Sequence, residues 1–220
     1  MLKRASPSGS PSDLKTNMVI SMHGQDNNPH QRSVHHFNAH IGRYTTFSAY
    51  LAFYEHAVER LFLQVSEHNE TADMAAIPLL FLMRHTMELG YKFSLFHLCE
   101  LNGTSFIPEA KNGEGHLFAK LQARLRVEYA KALNDGHVAE HDHEVIEEYF
   151  ALTEKGMKLF DALDEKSTKL RYPISNQTPA FGEDTQVNLL EMKNVCDEAM
   201  GLLGTVIDVI ARPEVYYGGP

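Results

Sequence analysis

The chain has 220 residues, enough for one ample helical core and short for two independent domains. Its formal net charge of −9 argues against broad, non-specific grip on nucleic acid, which needs many lysine and arginine contacts to phosphate, and leaves room only for a small local basic site. Apolar residues at 43% and charged residues at 22% are ordinary for a globular protein and exclude disorder throughout.

Residues 1–42 are rich in Ser, Pro, Asn, Gln and His and hold no sustained period, so they read as a flexible or loosely docked leader. The basic residues near the start are followed by no apolar stretch, which is not the pattern of a secretory signal. The helical domain is expected over 43–213, with an irregular tail at 214–220. Within it the first helix is predicted over 45–68, where Phe47, Leu51, Tyr54, Val58, Leu61 and Val65 recur three or four apart. Tyr44, Phe47, Tyr50, Phe53 and Tyr54 read as core, or as interface anchors if the helix exposes them.

The second helix is predicted over 73–101, capped by Asp73, with Pro78 forcing either a later start near Ile77 or a kink. Three glycines and a proline make 102–115 a loop. A third helix follows over 115–133, opened by His116, and a fourth over 143–164. Turn formers and prolines across 164–184 indicate an ordered functional loop or one with a short strand. Thr185 is expected to cap the fifth helix, which stops before Pro213. These elements give an all-α fold, a bundle of four to five helices with long second and fifth helices. Cys99 and Cys196 fall in apolar surroundings and read as buried thiols of a reducing compartment. No run of about 18 apolar residues is present, so no membrane partner is expected and the location is cytoplasmic.

The chemistry concentrates in the second helix. Its half from Ala75 to Met83 is apolar on every side, then Arg84, Glu88 and Lys92 follow at intervals of four with His85 beside the first. A charge among apolar neighbours must be paired or must face a cleft. One reading is an Arg84–Glu88 ion pair that fixes helix register; the other is a polar cleft reached by loops. Two further residues favour the cleft. His116 opens a helix, where free N–H groups attract an anion, and Arg171 carries a planar fork suited to phosphate or carboxylate, with Tyr172 beside it.

The order R-H-x-x-E-L-x-x-K at Arg84–Lys92, G-H-L-F-x-K-L at Gly115–Leu121 and D-E-x-S-x-x-L-R-Y-P at Asp164–Pro173 resembles prokaryotic members of the HEPN superfamily (higher eukaryotes and prokaryotes nucleotide-binding). The resemblance covers roughly half the chain. It implies a helical bundle that homodimerises and binds RNA or a nucleotide in a phage-defence, toxin-antitoxin or stress context, with an operon-encoded protein as a further partner. Many members are metal-independent endoribonucleases in which an arginine is followed after four to six residues by a histidine. This chain has no such pair, since Arg84 is followed immediately by His85. The resemblance therefore implies a binding or regulatory member, or catalysis through an altered constellation. In that constellation His85 or His116 is the catalytic group, and Arg84, Glu88, Lys92, Arg171 and Tyr172 bind the ligand. No cofactor or metal is implied.

Histidine clusters offer a rival. His35, His36 and His40, and His137, His141 and His143, contain i, i+4 pairs that suit a divalent metal, so a metal-dependent helical-bundle enzyme is the alternative, and a non-catalytic dimeric interaction protein is another. P-loop, dinucleotide-binding and G-x-S-x-G signatures do not occur.

Overall fold

The computed structural model describes Ala39 and residues 41–42, 45–107, 114–137, 143–175 and 177–211. By backbone contacts the chain divides into units of residues 1–43 and 44–220, and every helix described below belongs to the second. Among the described residues the fold is an all-α bundle of five helices, α1 (Phe47–Ser66), α2 (Ala72–Leu101), α3 (Phe118–Asn134), α4 (His143–Asp164) and α5 (Leu189–Ala211). A two-residue antiparallel pair, β1 (Ile174–Ser175) with β2 (Thr178–Pro179), interrupts the loop between α4 and α5, with Ile174 opposite Pro179.

Helix α2 is the axis. It packs against α1, α3 and α5, and α4 closes the bundle against α5. Most residues from Leu79 to Cys99 are buried, the charged Arg84, Glu88 and Lys92 among them, which is why the apolar residues there are not confined to one stripe. At 30 residues it is about 45 Å long. The helix runs through Pro78, which lies on an exposed side, and begins at Ala72 rather than near Ile77. Its cap is Thr71, whose hydroxyl accepts from the Met74 N–H, while Asp73 sits in the first turn and favours the positive end of the helix. Gly90 lies against α5, where an added Cβ would come within 2.7 Å of the Met200 Cε and displace that side-chain end.

Two other boundaries differ from those expected. His116 does not open α3 but ends a 3-10 turn, Glu114–His116, and Leu117 precedes the helix without a side-chain cap. Asn188 rather than Thr185 caps α5, its Oδ1 accepting from the N–H groups of Leu190 and Glu191 at 3.0 and 3.1 Å. Cys99 and Cys196 are buried free thiols. Among the described residues no helix is long and apolar enough to cross a membrane.

Candidate functional site

Arg84 is 1% exposed and stands at the meeting point of three elements. Its Nε donates to the Asp164 carbonyl at 3.0 Å and its Nη2 to the Glu165 carbonyl at 3.0 Å, both at the end of α4. Nη2 also reaches the His116 carbonyl at 3.4 Å, and the guanidinium lies over the Phe118 ring, 4.4 Å from its centroid. Glu88, the expected i, i+4 partner, is 3.9 Å from Nη1, and Asp161 is 3.8 Å from Nη2. Burial pulls the Arg84 pKa down, opposed by the charges of Asp164, Glu88 and Asp161. Its first partners are therefore helix-end carbonyls, whose negative dipole end a cation satisfies. One residue of α2 thus clamps the turn carrying His116 to the start of the 165–173 loop.

One helical turn on, Glu88 is 2% exposed, and its Oε1 accepts from the Lys92 Nζ at 2.7 Å and lies 2.7 Å from the His116 Nδ1. Burial alone would raise this carboxyl, but the hydrogen bonds and charges of Lys92 and His116 outweigh it and hold Glu88 below the usual carboxylate range. Lys92 is itself 8% exposed, whereas the His116 side chain is 58% exposed. The pair therefore has one buried end and one end in solvent.

The loop after α4 is ordered from within. The Asp164 carboxylate accepts the Thr168 N–H at 2.7 Å and the Leu170 N–H at 3.0 Å, leaving its own carbonyl to Arg84. Arg171 and Tyr172 follow, both exposed; the Arg171 Nε donates to the Ser167 carbonyl and its guanidinium lies 5.9 Å from the Tyr172 ring centroid. Arg171 is thus an exposed arginine anchored through its Nε, a residue type that suits an anion.

His85 occupies the edge of this group. Its ring stacks parallel to Phe81 at 6.0 Å and meets Tyr54 of α1 edge-on at 4.5 Å. Burial pushes its pKa down; Glu88 opposes this, and Lys92, His116 and Arg171 add to it. Of the two histidines, His116 is the exposed imidazole and His85 the half-buried one.

Grooves open on the described surface. One of 570 Å³ runs between α1 and α5 beside Glu55, Glu59, Lys193 and Asp197, where Lys193 clasps Glu59 at 2.9 Å and Asp197 at 2.6 Å. Another of 360 Å³ lies against the outer side of the α4 end, lined by Asp161, Asp164 and Thr178. Among the described residues no group of three or more His, Cys, Asp or Glu is arranged to hold a metal. His35, His36, His40 and His141, and the His143 side chain, lie outside what is described.

The residues that sequence reasoning passed over are Asp164, which shapes the Arg171 loop, and Phe118, the floor under Arg84. Asp164 carried a readable signal, an aspartate at a helix end four residues before a threonine whose amide it caps. No family model, curated protein or solved structure matches the chain.

Proposed function

We propose that the chain is a HEPN-like helical protein that binds RNA or a nucleotide at the surface formed by His116, Arg171 and Tyr172. The observation that carries this reading is the Arg84 clamp, which joins the His116 carbonyl to those of Asp164 and Glu165 and so holds a histidine turn beside an arginine loop. Arg171 supplies a fork for phosphate, and the Tyr172 ring, 58% exposed, supplies a face for an unstacked base. Lys92 and Arg84 lie behind the surface as positive charge, with Glu88 between them. In this reading Arg84 acts by positioning the two loops. His116 is the exposed acid–base group of an altered constellation, and the absence of the family's arginine-histidine spacing weighs toward binding or regulation rather than cleavage by the usual route.

The reading is tested by anisotropy titration of fluorescent single-stranded RNA and of labelled mononucleotides at about 50 and 200 mM salt. Arg171→Ala and Tyr172→Ala should each weaken binding about tenfold, with the melting temperature unchanged in Tyr172→Ala and only slightly lowered in Arg171→Ala, which loses the bond to the Ser167 carbonyl. Arg171→Ala should also flatten the salt dependence. Wild-type protein that binds neither ligand, or variants that bind like wild type, would refute it. Incubating labelled RNA with protein in EDTA reports whether the constellation also cleaves.

A homodimer belongs to the same proposal. Its support is the exposure of Tyr50 and Phe53 on α1 and of Phe96 on α2, the last a member of the Phe47–Phe96–Phe106 ring cluster.

A further inference from the structure

A carboxylate that remains ionised can only accept hydrogen bonds. Glu88 meets that condition although it is 2% exposed, because the Lys92 ammonium donates to its Oε1 at 2.7 Å, and the His116 Nδ1 lies 2.7 Å from the same oxygen. Held below the usual carboxylate range, it has no proton to give to His116. The hydrogen bond between them is therefore donated by the imidazole. In the neutral ring the proton then resides on Nδ1, and Nε2, on the far side of a ring more than half exposed, carries a bare lone pair.

We propose that Glu88 and Lys92 are positioning residues that lock His116 in its Nδ1–H tautomer, so that Nε2 meets the ligand as a hydrogen-bond and proton acceptor. The inference rests on the reading of this surface as the ligand site, and it refines it. A neutral imidazole presenting Nε2 recognises a donor, a hydroxyl or an N–H of the ligand, and has no attraction for a phosphate oxygen. Phosphate recognition falls to Arg171, and the two functions are divided between the two loops that Arg84 joins.

Lys92 has a distinct part. Without its ammonium the buried Glu88 would keep His116 as its sole close donor, with Arg84 at 3.9 Å, and burial would favour a protonated carboxyl. A protonated Glu88 could donate to Nδ1, which would move the ring proton to Nε2 and reverse the polarity of the exposed edge.

The arrangement is read directly from long-range proton–nitrogen NMR spectra of uniformly nitrogen-15-labelled protein at about pH 8, with His116 assigned by the signals lost in His116→Gln. In wild-type protein Nδ1 should resonate as a protonated, pyrrole-type nitrogen and Nε2 as an unprotonated, pyridine-type one. Lys92→Met and Glu88→Leu should each shift the pattern toward protonated Nε2, and Lys92→Arg should restore the wild-type pattern. Protonated Nε2 in the wild-type spectrum would overturn the inference whether or not the variants fold, and so would a wild-type pattern retained in folded Glu88→Leu or Lys92→Met. The spectrum is recorded without RNA or nucleotide. A locked tautomer in a protein that binds neither ligand would defeat the proposed function alone, and binding with the opposite tautomer would defeat this inference alone.

Discussion

Replacing Arg84 by methionine removes the clamp, because the substitution keeps an unbranched apolar stem about as far as Nε and removes every donor. Two hydrogen bonds of 3.0 Å to the Asp164 and Glu165 carbonyls are lost, together with a longer one to the His116 carbonyl and the stacking on Phe118. Bonds from a charged donor are worth about 1.5–3 kcal/mol each, and part of that is returned because methionine needs no desolvation. Removing one partner from a buried ionic network costs about 3–5 kcal/mol, and the lower end is expected here because carbonyls near the loop can turn toward water. For a unit of this size about 3 kcal/mol lowers the melting temperature by roughly 6–12 °C. Calorimetry measures the total, and amide hydrogen exchange locates it. Thr168 and Leu170, whose N–H groups are held by the Asp164 carboxylate, should lose protection before the α2 amides do. Arg84→Lys should fall nearly as far, since one ammonium on a shorter reach cannot serve three carbonyls. A melting temperature within about 2 °C of wild type, with Thr168 still protected, would show that the clamp does not hold the loop.

His85 favours its neutral form in the folded protein, with its pKa below 6.5, so the unfolded chain takes up the proton first as pH falls. Its contribution to stability is complete above about pH 6.5 and declines below it, and His85→Phe, which keeps a ring against Phe81 and Tyr54, should flatten the melting-temperature profile between about pH 6.5 and 5. An unchanged slope would remove His85 as its source. Gly90→Val puts methyl groups where even a Cβ would sit 2.7 Å from the Met200 Cε, and overpacking of this kind should lower stability by about 1–3 kcal/mol in urea unfolding, with the m-value preserved. An unaltered midpoint would mean that α2 and α5 have slack at their crossing. Burial pushes the Cys196 thiol up to about 12, so a disulfide reagent at about pH 8 should leave it unmodified in native protein and react with it in urea. Rapid labelling of the native chain would contradict its burial.

The bundle itself was legible in the residues, because helix formation and helix burial are largely local. Apolar positions three and four apart drew α1 and α4, the all-round apolar run announced that α2 is the axis, and glycines and prolines separated the elements. Cap assignment was less secure. Thr71, Asp73, Thr185 and Asn188 all suit an N-cap by type, and the choice depends on which hydroxyl or amide oxygen reaches a free N–H once the loop has its path.

What the chain alone determined is that Arg84, Glu88 and Lys92 share a face of a helix that must be buried, since the 3.6-residue period fixes that relation wherever the helix goes. Only the tertiary structure decided their partners. Glu88 meets His116 from 28 positions away, and Arg84 is held by backbone carbonyls some 80 positions away. Every residue carries a carbonyl, so no pattern of side chains could mark Asp164 and Glu165 as the acceptors. They became so because α4 ends where α2 turns its arginine, and an unsatisfied helix end accepts the nearest buried cation.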